Sequence, residues 1–205
     1  MGFVDTHVHL HFPEYSADLD SVLDRAQKAG LELFINVGTD VKSSEEALRL
    51  AERYEFIWAT AGIHPHDAKE ADSPAVDRIA ELLSQRKAVA IGEVGLDFFR
   101  DHSPRQKQIE VLKSFIDLHH KTGKPLILHC RDAYEELLGI LREKGGPYQG
   151  LLHCFSSEQS TMFRFLDLGF YISFAGPLTY KKNDALREAC KVCPLDRLLL
   201  ETDGP

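Results

Sequence analysis

Two histidines sit two residues apart in Asp5-Thr6-His7-Val8-His9, at the end of a short strand-like run. On a strand, positions i and i+2 face the same way, so the two imidazoles would lie side by side. Such a pair can bind a metal, but it becomes a site only if further ligands arrive from elsewhere. The chain offers Glu93, His129, His153 and Asp203, each at the end of another hydrophobic run. Four histidines and two carboxylates are more than one zinc ion needs. Two divalent ions about 3.5–4 Å apart, bridged by a carboxylate, would use them all. Glu93, from the middle of the set, is the natural bridge. His7 and His9 would share one ion with Asp203, and His129 and His153 would take the other. His and carboxylate donors accept magnesium, manganese or zinc. Asp203, a ligand with a second oxygen free, is the candidate for orienting or deprotonating the attacking water. Glu93 joins it as the catalytic bridge.

These residues must be brought together by the elements that carry them. The first strand is read over 3–9, followed by a helix at 18–29, a strand at 33–37 and a helix opened by Ser43-Ser44-Glu45-Glu46. A strand at 56–63, a helix at 74–85 and a strand at 88–91 come next, with 92–97 as a loop. Helices at 104–122, 132–143, 157–168 and 182–191 then alternate with strands at 125–129, 150–153, 170–173 and 198–203. Strict strand–helix alternation implies a parallel sheet of βαβ units. Eight strands predict the closed α/β barrel, whose sites lie at the C-terminal strand ends. No glycine-rich phosphate fingerprint follows the first strand, which disfavours an open dinucleotide-binding sheet. Strand parity agrees with one convergent mouth. Val89, Ile91 and Glu93 share a face, as do Ile127 and His129, Leu151 and His153, and Leu199, Glu201 and Asp203. Such a barrel typically needs about 250 residues. Here the chain ends two residues after Asp203, so the C-terminal helix is expected to be lacking.

Composition narrows the function. The 205 residues are expected to form one barrel domain over 1–205, short at its C-terminal end. A net charge of -8 argues against a broad electrostatic grip on nucleic acid, but not against a site that holds a few phosphates through metals. No apolar run reaches the roughly 18–20 residues of a membrane span, so no membrane partner is expected. Four cysteines without a leader pattern predict a cytoplasmic protein with free thiols.

Neighbouring residues could support the site. His64, in His64-Pro65-His66, is read as a residue that hydrogen-bonds a substrate phosphate, and His66 as a cap of that loop. Arg131 offers a guanidinium suited to phosphate. Glu201 and Asp5 are placed to orient ligand histidines, a frequent role for a carboxylate behind a metal site. Asp97 is left open between a loop cap and a residue touching the site. Cys130 and Cys154 each follow a candidate ligand and should point away, toward the helices. Cys190-x-x-Cys193 reads as packing at a helix end.

Taken together, six strings carry a family resemblance. They are Asp5-Thr6-His7-Val8-His9-Leu10, Gly62-Ile63-His64-Pro65-His66 and Gly92-Glu93-Val94-Gly95-Leu96-Asp97, then Ile127-Leu128-His129-Cys130-Arg131, His153-Cys154-Phe155-Ser156 and Glu201-Thr202-Asp203. In this order they resemble the TatD family of metal-dependent deoxyribonucleases, within the metallo-dependent hydrolase superfamily. The chain departs at Ser157, where glycine is usual, and at Gly204, where serine, alanine or cysteine is common. The family's C-terminal segment does not follow. The resemblance implies phosphodiester hydrolysis with divalent metals at His7, His9, Glu93, His129, His153 and Asp203. The expected substrate is DNA, as short or single-stranded ends, with no obligate protein partner. Two alternatives stand beside it. One is a related amidohydrolase acting on an amide or lactone, although such enzymes often bridge their metals with a carboxylated lysine where this chain has Glu93. The other is a non-catalytic remnant that keeps the barrel.

Overall fold

A computed structural model describes residues 2–205. The elements run β1 (Phe3–Val8), α1 (Leu19–Lys28), β2 (Leu31–Val37), α2 (Val41–Arg53), β3 (Ile57–Ala61), α3 (Ser73–Leu82) and β4 (Ala88–Asp97). They continue with α4 (Arg105–Thr122), β5 (Leu126–Arg131), α5 (Tyr134–Lys144), β6 (Gly150–Leu152), α6 (Gln159–Asp167), β7 (Tyr171–Phe174), α7 (Asp184–Val192) and β8 (Leu198–Leu200). All eight strands pair in parallel, in sequence order from β1 to β8. The predicted α/β barrel is therefore the observed one, nearly closed. Most of the apolar core lies between the strands and the surrounding helices, with a small layer of Val37, Ala90 and Ile127, packed by Ile35 and Leu151, forming a separate cluster. No helix among the described residues is long and apolar enough to cross a membrane.

Closure between β1 and β8 rests on few contacts. Val8 and Gly204 form an isolated parallel bridge, the His9 N–H donates to the Gly204 carbonyl at 2.7 Å, and the Asp203 N–H donates to that of His7 at 2.9 Å. Asp5 reinforces this seam. Its Oδ1 accepts from the Thr202 N–H at 3.0 Å and the His7 N–H at 3.2 Å, and its Oδ2 accepts from the Thr202 hydroxyl at 2.7 Å. Asp5 therefore ties the backbones of the two ends together and does not orient the His7 imidazole, contrary to the parity argument. Phe3 and Leu200 on the two seam strands are 57% and 50% exposed.

Two strand ends differ from expectation. β4 runs on through Asp97, over the stretch read as a loop. That stretch holds two glycines, Gly92 and Gly95. Gly95 permits a close approach: it pairs with His129 at a φ of +151°, and a Cβ there would strike the His129 carbonyl oxygen. β8 stops at Leu200, three residues short of Asp203. Asp203 reaches the barrel mouth through a left-handed backbone, with φ of +56°. That conformation costs a non-glycine residue about 1 kcal/mol.

At the opposite end, Lys87 is fully buried just before β4. Its ammonium donates to the carbonyls of Tyr54, Glu55 and Ile57 at 3.2, 2.9 and 3.0 Å, and lies 4.7 Å from the Trp58 ring centroid. A buried lysine is tolerated when its donors are satisfied in this way.

Candidate metal centre

The C-terminal strand ends bring His7, His9, Glu93, His129, His153 and Asp203 into one cluster. The Glu93 carboxylate is buried at its centre, with its two oxygens facing opposite pairs of histidines. Oε2 lies 3.3 Å from His7 Nε2 and 3.9 Å from His9 Nε2. Asp203 Oδ1 approaches the same two nitrogens at 3.6 and 3.9 Å, and the nitrogens are 3.3 Å apart. Glu93 Oε1 lies 2.9 Å from His129 Nδ1 and 2.8 Å from His153 Nε2, which are 3.2 Å from each other.

Hydrogen-bond partners behind the rings identify which nitrogens face inward as lone pairs. His9 Nδ1 is 2.7 Å from the Val37 carbonyl, which can only accept, so Nδ1 carries the hydrogen. Burial and the neighbouring His7 push the His9 pKa down to about 3, so the ring is neutral and Nε2 is an acceptor. His129 Nε2 lies 3.2 Å from Asp97 Oδ2, leaving Nδ1 to face Glu93. For His153 the partner is a charge and not an aligned hydrogen bond: Nδ1 lies 3.3 Å from Glu201 Oε1, and Nε2 faces Glu93. Glu201 accepts from the Cys154 N–H at 2.6 Å, which fixes the carboxylate behind the ring.

Lone pairs of imidazoles and carboxylates converging at these distances repel one another unless a cation lies among them. Four donors held about 2.1 Å from one tetrahedral ion are about 3.4 Å apart. The separations observed, 2.8–3.9 Å, bracket that spacing, so the donor set fits divalent cations after small adjustments. Without a cation, protons take their place. Burial opposes charge on His153 and His129, but Glu93 with Glu201, and Asp97 with Glu93, outweigh it and raise both pKa values, that of His153 strongly. Burial alone would raise the Glu93 pKa. The surrounding His153, His64 and His7, with the hydrogen bond to His129, instead hold it well below the usual carboxylate range.

His64 also comes close, with Nε2 3.4 Å from Glu93 Oε1. Its tautomer differs. The His66 N–H donates to His64 Nδ1 at 3.1 Å, so the neutral ring carries its hydrogen on Nε2. Burial lowers the His64 pKa to about 4, which keeps the ring neutral. His64 therefore presents a donor to the site, not a lone pair. Arg131 lines the cleft of about 390 Å³ that opens above His129, His153 and Asp203, and its guanidinium packs over Phe99 without pairing with Asp132.

Asp97, left open between a loop cap and a residue touching the site, does both. Asp97 Oδ2 faces both His129 Nε2, at 3.2 Å, and His66 Nε2, at 2.9 Å. His66 is thus part of the network behind the site as well as of its own loop. Burial would raise the Asp97 pKa, but His129, the Arg100 N–H and His66 bring it far below the usual carboxylate range. The signal was present in the string: Glu93 and Asp97 share parity, and a strand continued past Gly92 places both on one face. Cys154 also corrects an expectation. β6 ends at Leu152, and a φ of +41° at Cys154 puts this residue on the cleft wall with Asp203. Burial pushes its thiol pKa up to about 12. Cys130 is in the apolar core as expected, and all four cysteines are free.

Known proteins share this arrangement of chain. An uncharacterized metal-dependent hydrolase of Bacillus subtilis, YabD, is 40% identical over 202 residues, covering 98% of this chain and 79% of its own length. The 3'-5' ssDNA/RNA exonuclease TatD of Salmonella typhimurium is 36% identical, covering 98% of this chain and 78% of its own. The crystal structure of the Escherichia coli TatD homolog YjjV superposes with a TM-score of 0.93 at 34% identity, covering 98% of this chain and 78% of that one. The family described as TatD related DNase matches residues 4–205. With that match, these relatives and the barrel they share, the chain belongs to the TatD family of metal-dependent hydrolases.

Proposed function

We propose that the chain hydrolyses phosphodiester bonds at single-stranded DNA ends, using two divalent cations. The observation that carries this reading is the division of Glu93, one oxygen toward His7 and His9 and the other toward His129 and His153. His7, His9 and Asp203 would hold one cation, His129 and His153 the other, and Glu93 both. Magnesium, manganese and zinc all suit this donor set. When bound, two such cations lower the pKa of water and neutralise charge on phosphoryl oxygens.

The protein's own groups do the rest. Asp203, with its side chain 36% exposed at the mouth, orients the attacking water and takes its proton. His64 donates from Nε2 to a phosphate oxygen. Arg131, on the cleft wall, meets the phosphate with its guanidinium. Two carboxylates and no lysine lie among the inward-facing donors, which favours the phosphodiester reading over amide or lactone hydrolysis. The Salmonella relative is named for exonuclease action on single-stranded DNA and RNA, the same substrate class. An acidic surface suits a short end gripped locally better than a long duplex gripped broadly.

The test is release of nucleotides from a labelled single-stranded oligonucleotide. Cleavage is expected with Mg²⁺ or Mn²⁺ and none with EDTA. No cleavage with Mg²⁺, Mn²⁺ or Zn²⁺ would overturn the reading. Turnover of a lactone or cyclic amide in its place would establish the second activity.

Asp97 provides an independent check on the cation site. Asp97→Asn keeps the size of the side chain but removes the charge behind His129. Losing such a partner typically costs about 10–100-fold in metal affinity. Competition with a chelating dye should show that loss. Parent-like affinity would confine Asp97 to holding its loop.

A further inference from the structure

Against Arg131, which lines the cleft, stands an exposed aromatic ring that hydrolysis itself does not require. After β4 the chain turns through Phe98-Phe99-Arg100. Asp97 Oδ1 accepts from the Phe99 N–H at 3.0 Å and the Arg100 N–H at 2.8 Å, while its Oδ2 faces His129 and His66. One carboxylate thus fastens this loop to an imidazole of the metal centre. The Phe98 N–H donates to the Arg131 carbonyl at 2.9 Å, pinning the loop to the end of β5. Phe99 is held in place by its backbone, yet it is 55% exposed.

Two guanidinium groups attend the ring. The Arg131 guanidinium carbon is 4.0 Å from the Phe99 centroid, and that of Arg100 is 5.8 Å away. Among the described residues, neither has a carboxylate within ion-pair distance, and the adjacent Asp101 is engaged by Arg105 at 3.2 Å. On a chain with net charge -8, this is a local exception: unpaired positive charge around an exposed π surface beside the cleft.

A stacking surface beside cations is the arrangement that grips single-stranded nucleic acid. Bases stack on the ring and the cations meet the phosphates. In a duplex interior the base faces are already covered by neighbouring pairs. We propose that Phe99 is a stacking platform for a nucleobase of a single-stranded substrate, with Arg131 and Arg100 holding the adjoining phosphates. The proposal rests on the phosphodiesterase reading and adds a base-recognising residue to it. It makes the enzyme favour strands that carry a base at this position over bare sugar–phosphate backbone.

The experiment compares an oligothymidylate with an abasic strand of equal length. Both carry phosphorothioate linkages to slow cleavage, and binding with Mn²⁺ is followed by fluorescence anisotropy. Phe99→Ala should bind the thymidylate strand about tenfold more weakly, within the range for loss of one stacked base. Phe99→Leu, apolar but without a π face, should lose nearly as much, and Phe99→Tyr should bind like the parent. The abasic strand should bind parent and alanine variant alike, at the weaker level. The proposal is overturned if Phe99→Ala matches the parent on thymidylate, or loses equally on both strands. A parent that cleaves ordinary DNA without preferring thymidylate over abasic strand rejects the stacking role and leaves the phosphodiesterase intact. A parent that neither binds nor cleaves single strands rejects both.

Discussion

Glu93→Gln is expected to slow metal-dependent cleavage of single-stranded DNA by at least about a thousandfold. The substitution keeps the shape of the side chain and leaves the apolar surroundings of β4 untouched. It removes one negative charge and half of the acceptor capacity. In the parent, one oxygen faces His7 and His9 and the other faces His129 and His153. A glutamine can offer its carbonyl to one pair only and must turn its NH₂ toward the other. That NH₂ is a donor where a cation needs an acceptor. Stabilisation of transition-state charge by a bound metal is worth several kcal/mol, and about 4 kcal/mol corresponds to roughly a thousandfold in rate. Elemental analysis of the purified variant should show less bound metal than the parent, which separates this outcome from a purely kinetic defect. Cleavage within tenfold of the parent's would remove Glu93 from the centre of the site.

The second large effect concerns stability. Lys87→Met should lower the free energy of unfolding by about 2 kcal/mol: a buried carbonyl left without a donor costs about 1–3 kcal/mol, the Ile57 carbonyl is buried, that of Glu55 is partly so, and that of Tyr54 keeps the Ile57 N–H at 3.2 Å. The ammonium serves the carbonyls of Tyr54, Glu55 and Ile57, where α2 gives way to β3. Methionine preserves the stem's packing against Trp58 but supplies no hydrogen bond. Whole domains are stable by about 5–15 kcal/mol, so the loss is a large share. Urea unfolding should show a lower midpoint with an unchanged slope. Because these carbonyls lie at the N-terminal end of the strands, cleavage per folded molecule should match the parent's. An unchanged midpoint would show that water or a rearranged loop replaces the ammonium.

The barrel was legible from Leu31–Val37, Ala88–Ile91 and the amphipathic helices between them, because burial on two faces and burial on one face leave different periodicities. The six metal-competent residues were legible for a related reason. Each follows an apolar run, and for those on or next to a regular strand parity puts the side chain on the inward side. Three readings failed where a single residue's backbone mattered more than its neighbours' pattern. Gly95 extends β4 through a stretch read as a loop, and Cys154 and Asp203 adopt left-handed conformations that no parity count anticipates. Asp5 failed differently. Its partners, Thr202 and the His7 backbone, come from opposite ends of the chain.

Residue types and their spacing therefore determined which side chains are available, which way the strands face them and which family the chain resembles. Only the tertiary structure decided how they work together. It turned the two oxygens of Glu93 toward different histidine pairs. It used the Val37 carbonyl and Asp97 to choose which nitrogen of His9 and His129 faces inward, and set Glu201 behind the His153 ring. It gave His64 a backbone donor at Nδ1, so the neutral ring turns an N–H toward Glu93. It placed Phe99 against Arg131. The physical reason is the same in each case. Periodicity reports which face of an element is buried, whereas tautomers, strand ends and stacked pairs depend on single atoms supplied by elements distant in the chain.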